Sequence, residues 1–194
     1  MATESLNTES FLSLRRGSPP PVVIDLRSEE SYQKQHIAGS KSIPWSLVAD
    51  EAIFLAPKVA YLLVGDENNE GLQQTLEWFE QRHFSNIKYT TVGADTLWEF
   101  IQKSPDELIL TDLPEAQWLD AIEAVFEQTL RPYLAIDQGG IQVISLENSK
   151  LFVRYTGACK SCGLNRTETL GLIQRTLCVQ LNHNLKVIAA KETE

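Results

Sequence analysis

The chain has 194 residues, 43% of them hydrophobic, enough for one ordinary domain or two small ones around a buried core. Its 17 Lys and Arg against 26 Asp and Glu give a formal net charge of -9, which excludes the basic patch that nucleic acid or an anionic membrane surface requires and favours basic protein partners. Three cysteines, an odd number, exclude a secreted disulfide framework and suit a reducing compartment.

Met1-Ala2-Thr3-Glu4-Ser5 lacks the basic start and apolar run of a secretory signal, and it is acidic where a mitochondrial presequence is Arg-rich. No apolar stretch reaches the ~20 residues of a membrane span, so the expectation is a cytoplasmic protein. Pro19-Pro20-Pro21 is a stiff lead-in to Val22-Val23-Ile24-Asp25-Leu26, a β-branched strand. The polar stretch from Ser28 to Gln35 reads as a helix, broken by His36-Ile37-Ala38-Gly39. A short strand around Ile43 ends at Pro44, an amphipathic piece runs from Trp45 to Leu55, and Val59 to Val64 is a continuous apolar run of buried-strand type. Leu72, Leu76, Phe79 and Phe84 mark one face of a helix, Ile87 to Val92 supplies another strand, and Trp98 and Phe100 are expected in the core or at an interface. Strands alternating with helices predict an α/β layer of ~100 residues with a parallel sheet.

The residues Asp25-Leu26-Arg27, Gln35-His36-Ile37-Ala38-Gly39-Ser40, Ile43-Pro44 and Val92-Gly93 occur in an order that resembles the rhodanese-like domain. In active members of that family a strand ends in a cysteine that carries persulfide sulfur, inside a loop that cradles an anion. Here the nucleophile's place falls at or next to Gly65, and no cysteine precedes Cys159. The loop reads Asp66-Glu67-Asn68-Asn69-Glu70, with three carboxylates where an anion needs bare amides and positive charge. The resemblance thus implies a rhodanese-like domain over residues 1–104 that has lost catalysis and serves docking, with the acidic loop as a candidate patch. Asp25, Arg27 and His36 are expected to be structural, His36 by fixing a turn.

Lys103-Ser104-Pro105-Asp106-Glu107 has linker character and places the boundary at 104/105, and Leu108-Ile109-Leu110 is a short strand or a pinned extended linker. Trp118, Leu119, Ile122, Val125, Phe126 and Leu130 recur at helical spacing after Pro114; Arg131-Pro132 bends or restarts that helix, and Gly139-Gly140 ends it. Alternation from Ile141 to Ser145 and from Leu151 to Tyr155, around Glu147-Asn148-Ser149-Lys150, predicts a β-hairpin. Asn165-Arg166-Thr167-Glu168 opens a helix striped by Leu170, Ile173, Leu177 and Leu181, with Cys178 a buried apolar cysteine beside the stripe, and Leu185 to Ala189 is a last strand. The fold class is therefore α/β: a parallel-sheet domain followed by a small α+β domain ordered helix, hairpin, helix, strand.

Between hairpin and helix stands Tyr155-Thr156-Gly157-Ala158-Cys159-Lys160-Ser161-Cys162-Gly163. A Cys-x-x-Cys pair suits a redox disulfide, zinc or an iron–sulfur cluster. A thioredoxin-like redox site needs further sheet and helices behind it, but only about thirty residues follow Cys162. Zinc needs four ligands, and the other candidates in this half are Cys178 and His183, which the helix pattern does not bring to the pair. A four-iron cluster takes about four thiolates, which two chains meeting across a two-fold axis could offer together.

The run Leu130-Arg131-Pro132-Tyr133-Leu134, the pair Gly139-Gly140, and Gly157-Ala158-Cys159-Lys160-Ser161-Cys162 followed by Thr169-Leu170 together resemble the NifU carboxy-terminal (Nfu) domain, over residues 105–194. The resemblance implies a 4Fe-4S cluster held between two subunits of a homodimer by Cys159 and Cys162, and delivered to apo iron-sulfur proteins in concert with the assembly machinery. Gly157 and Gly163 then let the backbone turn closely around it. It implies no enzyme activity. Gln138 stands where the family often has an acid, at a turn position. The alternative is a dithiol redox or sulfur-relay protein using the same two cysteines.

Overall fold

Val22, Val23 and Ile24, like Tyr61 to Val64, leave no face of a strand for water and need cover on both sides. The computed structural model, which describes residues 4–66, 71–136, 138–157 and 166–190, supplies that cover in the first of two units, Met1–Pro105 and Asp106–Glu194. The first unit runs β1 (Glu4–Ser5), α1 (Thr8–Arg15), β2 (Val22–Asp25), α2 (Glu29–Lys34), β3 (Lys41–Ser42), α3 (Val48–Glu51), β4 (Tyr61–Val64), α4 (Leu72–Gln81), β5 (Ile87–Thr90) and α5 (Ala94–Lys103). Its sheet has the order β1-β5-β4-β2-β3 and is parallel throughout, the α/β arrangement expected from the alternating pattern. Every residue of β2 and β4 is buried. Phe79 and Phe84 meet edge to face with ring centroids 4.8 Å apart, and Tyr61 meets Phe84 at 5.7 Å. These rings fill one side of the central strands.

Several elements differ from the sequence expectation. β1 and α1 were not foreseen: Asn7 caps α1 by accepting from the Ser10 amide at 2.9 Å, and Phe11, Leu12 and Arg15 are buried, with Arg15 Nη2 donating to Ala38 O at 3.0 Å. The amphipathic piece after Pro44 is two 3-10 turns, Trp45–Leu47 and Ala52–Phe54, around α3. α5 is a full helix whose inward stripe is Ala94, Leu97 and Ile101, and Phe100 is exposed instead of lying in the core.

The second unit runs α6 (Trp118–Val125), a π-helical turn (Phe126–Leu130), α7 (Arg131–Ala135), β6 (Gly139–Glu147), β7 (Lys150–Gly157), α8 (Arg166–Leu181) and β8 (Lys186–Ala189). Pro132 has no N–H for the carbonyl four residues back. The turn before it is π-helical, so that the Arg131 amide reaches Phe126 O. β6 and β7 pair antiparallel as the hairpin, and β8 adds parallel to β7, giving the order β6-β7-β8. The register shifts between Val143 and Ser145, which makes Ile144 a bulge residue with its side chain exposed. The buried side of the unit is built from Ile122, Phe126, Leu151, Val153, Tyr155, Ile173 and Leu177. Ile109 and Leu110 are buried as well and lead into a 3-10 turn, Leu110–Asp112, rather than a strand. Among the described residues no helix is long and apolar enough to cross a membrane.

β2 ends in a closed ion pair. Arg27 Nη2 lies 2.7 Å from Asp25 Oδ2 with both side chains buried, Arg27 Nε donates to Asp25 Oδ1 at 2.9 Å, and Nη2 also donates to Gln35 O at 2.6 Å. Arg27→Met leaves the Asp25 carboxylate buried without its cation and is expected to lower unfolding free energy by about 3–5 kcal/mol, whereas an Asp25→Leu/Arg27→Met pair recovers most of that loss. Urea unfolding of the three proteins, followed by tryptophan fluorescence, checks this order.

Candidate functional site

In an open parallel sheet the carboxyl ends of the strands are where ligands gather. Here two groups at that edge are engaged by the chain itself. The Gly65 amide donates to Thr90 O at 2.9 Å, extending the β4–β5 ladder, so it does not face an incoming anion. The Arg27 guanidinium is committed to Asp25 and to the Gln35 carbonyl. Burial opposes its charge, but the hydrogen bonds and charge of Asp25, with Asp66 and Asp95 beyond, hold its pKa above the ordinary guanidinium value. Asp66 Oδ1 lies 3.7 Å from where a Cβ on Gly93 would stand, placing this carboxylate against the start of α5. Glu67, Asn68, Asn69 and Glu70, the remainder of the expected acidic loop, lie outside the described residues.

His36 serves the turn, as expected. Its Nδ1 donates to Tyr32 O at 2.8 Å, its ring stacks on Tyr32 at 4.1 Å between centroids, and the Tyr32 hydroxyl donates to Ser40 O at 2.7 Å. Gly71, which caps α4, is required by the indole of Trp45: a Cβ there would stand 2.0 Å from the ring.

In the second unit the open end of the hairpin is crowded backbone. Gly139 pairs with Gly157 and Gly140 with Thr156. A Cβ on Gly140 would stand 2.3 Å from Thr156 Oγ1, and one on Gly157 would stand 2.4 Å from Gln138 O. Gly157 has φ +61° and Gln138 φ +57°, so two left-handed residues face each other where β7 ends. Cys159 and Cys162, with Gly163, fall in residues 158–165, outside the described residues; the chain is described again from Arg166, where α8 begins.

The other two metal-ligand candidates of this unit are accounted for. Cys178 is buried, its Sγ accepting from the Leu185 amide at 3.3 Å and donating to Leu185 O at 3.6 Å, which ties α8 to the approach of β8. His183 Nε2 lies 3.2 Å from Ser149 Oγ, and its ring is 5.4 Å from that of Trp118. Burial pushes the His183 pKa below the usual 6.5, so the ring is neutral at pH 7. Among the described residues no group of three His, Cys, Asp or Glu side chains is arranged to hold a metal ion.

A family model described as the NifU-like domain matches residues 122–188, from α6 to β8. Over these residues the chain is similar to the NifU-like domain. Two relatives are similar over part of the chain: the nitrogen fixation protein NifU of Azotobacter chroococcum is 36% identical over 76 residues, and that of Cereibacter sphaeroides 36% identical over 81. These alignments cover 39% and 41% of this chain, and the chain spans only 24% and 32% of the length of those relatives. Among solved structures, the rhodanese-like domain of an Anabaena sp. protein is similar at 21% identity, covering 52% of this chain and 76% of that one with a TM-score of 0.42.

One contact of the second unit was not foreseen. Asn182, at φ +44° just past α8, donates to Glu107 Oε2 at 2.7 Å and to Leu108 O at 3.0 Å, pinning the segment from Glu107 to Leu110. The signal was present, because Asn is favoured in the left-handed position that ends a helix.

Two outcomes follow for this unit. Gly157→Ala forces a side chain into a left-handed position against Gln138 O, and it is expected to cost about 1–3 kcal/mol in chemical denaturation. For His183, whose pKa lies below 6.5 in the folded state, the unfolded chain binds more protons between the folded value and 6.5. Stability therefore rises with pH across that window, is complete above it, and falls as pH drops through it. His183→Asn is expected to flatten this dependence in melts recorded from pH 5 to 8.

Proposed function

We propose that the chain is an iron–sulfur carrier or scaffold: residues 105–194 hold a 4Fe-4S cluster as cargo between two subunits, through Cys159 and Cys162 of each, and deliver it to apo-proteins. The observation that carries this is the NifU-like match over residues 122–188, which spans both cysteines. The donor chemistry fits such a cargo. Thiolates are its ligands, two from each copy make four, and Cys178 and His183 are held elsewhere. α8 runs for sixteen residues, Arg166–Leu181, and its amino end begins shortly after Cys162, where the helix dipole favours thiolate over thiol. Free thiolates of this kind persist in the reducing cytoplasm.

Residues 1–104 act as a rhodanese-like docking domain and not as a sulfurtransferase. No cysteine stands at Gly65, the Gly65 amide is bonded within the sheet, and Arg27 is bound to Asp25. A persulfide donor would find no cysteine nucleophile there, and the sequence that follows Gly65 carries three carboxylates where an anion needs positive charge. The chain makes and breaks no substrate bond in this reading, and its partners are apo iron-sulfur proteins and the assembly machinery.

Anaerobic reconstitution with ferrous iron and sulfide tests the proposal. The expected product is coloured, of dimer mass, with about four irons for each pair of chains. It is lost in Cys159→Ser and Cys162→Ser and retained in Cys178→Ser. A colourless monomer that cycles between dithiol and disulfide would falsify the carrier reading and favour a redox or sulfur-relay protein.

A further inference from the structure

Side chains alternate between the two faces of a sheet, and the strand register of β6-β7-β8 sorts them. Leu151, Val153 and Tyr155 of β7 are buried together with Ile141 of β6 and Val187 of β8, which marks the inward face. Lys150, Phe152 and Arg154 therefore belong to the outward face. Phe152 stands between Ser145 and Ile188, Arg154 stands opposite Gln142, and Lys150 stands between Glu147 and Lys186. Phe152 and Ile188 are half-buried, whereas Lys150, Arg154 and Lys186 are exposed.

Charge sets this face apart. It carries three cations and one carboxylate, Glu147, whose Oε1 accepts from Ser145 Oγ at 3.2 Å. Among the described residues Lys150, Arg154 and Lys186 form no ion pair. The face is thus positive in a chain whose net charge is -9, and Lys191, Glu192 and Glu194, which follow β8 in the sequence, together subtract a single charge from it. We infer that the outward face of β6-β7-β8 is a docking surface for an acidic segment of another protein, one that also seats apolar side chains on Phe152 and Ile188.

Complementarity selects this occupant. Lys150 and Lys186 stand side by side in register, like charges that repel until a carboxylate comes between them. The basic partners suited to the chain as a whole are repelled here, and carboxylates are drawn to this face over the acidic remainder. Phe152 and Ile188, neighbours across β7 and β8, offer apolar contact that a small hydrated anion does not use. A long polyanion such as nucleic acid would reach beyond the three cations into like charge. β7 runs from this row to Gly157, and Cys159 follows two residues later, so a partner held here lies along the strand that leads to the paired cysteines. The inference is read from the sheet alone and does not depend on the proposed cluster.

Fluorescence anisotropy on the full chain without iron tests it, with a short fluorescein-labelled peptide of Glu, Leu and Ser as the probe. Counterparts carry Lys for Glu or Ser for Leu, and a single-stranded DNA oligonucleotide is titrated alongside. Wild type is expected to bind the acidic Leu peptide about tenfold or more tightly than the Lys peptide, and severalfold more tightly than the Ser peptide. Arg154→Glu/Lys186→Glu should weaken it about tenfold, and Arg154→Gln/Lys186→Gln less but in the same direction with an unchanged thermal melt, which separates lost docking from misfolding. Lys58→Glu, an equivalent single reversal at an exposed site of the first unit, should change affinity less than about twofold. Several results overturn the inference: no binding of the acidic peptide, no preference for Leu over Ser, unchanged affinity in the Arg154/Lys186 variants, an equal loss in Lys58→Glu, or tighter binding of the oligonucleotide. Any of them leaves the carrier function standing, and a failed reconstitution with iron leaves this inference standing.

Discussion

The contact between Gly157 and the Gln138 carbonyl sets the geometry of the second unit. β6 and β7 remain paired to their last residues only because both strand ends are glycine: a side chain on Gly157 would overlap the carbonyl, and one on Gly140 would overlap the Thr156 hydroxyl. This pairing aligns the end of β7 with the start of β6, and through Gln138 with the end of α7. The residues that carry the paired cysteines begin where that ladder stops. Behind it, Cys178 and Asn182 hold α8 to Leu185 and to Glu107 and Leu108, so the helix that follows the cysteines is anchored at its far end.

In the first unit, groups at the carboxyl end of the sheet are engaged by the protein itself. A parallel sheet leaves amides and helix starts at its carboxyl end. In this chain the Gly65 amide continues the ladder, Arg27 neutralises Asp25, and Asp66 approaches the start of α5. Carboxylates there disfavour anions, in keeping with the overall charge of -9. The two units therefore divide the chemistry: the first supplies a folded surface, and the second carries the thiols.

Much of the fold was legible because burial leaves a periodic trace. The continuous run from Tyr61 to Val64 became a fully buried strand, and the spacing of Ile173, Leu177 and Leu181 became the inward stripe of α8. β1 and α1 escaped notice because Thr8, Glu9 and Ser10 are polar and their burial partners are distant in sequence. α5 carried its stripe at Ala94, Leu97 and Ile101; Trp98 is half-buried beside it, and the large ring of Phe100, expected in the core or at an interface, is exposed. Of the candidate site, residue identity was legible and environment was not. Nothing local in the sequence shows that the Gly65 amide bonds to Thr90 or that His183 meets Ser149 and Trp118.

By itself the sequence determined which chemistry is possible: two closely spaced cysteines before a helix, no cysteine at Gly65, and an acidic chain. Those are properties of residue type and spacing, which need no coordinates. The tertiary structure decided what each group is free to do. Strand order and the parallel addition of β8 arise from pairings between residues far apart in the chain. The same long-range contacts bury Cys178 and the Asp25–Arg27 pair and leave Tyr133 and Ile136 exposed. Burial and pairing depend on what arrives from elsewhere in the chain, and local pattern does not encode that arrival.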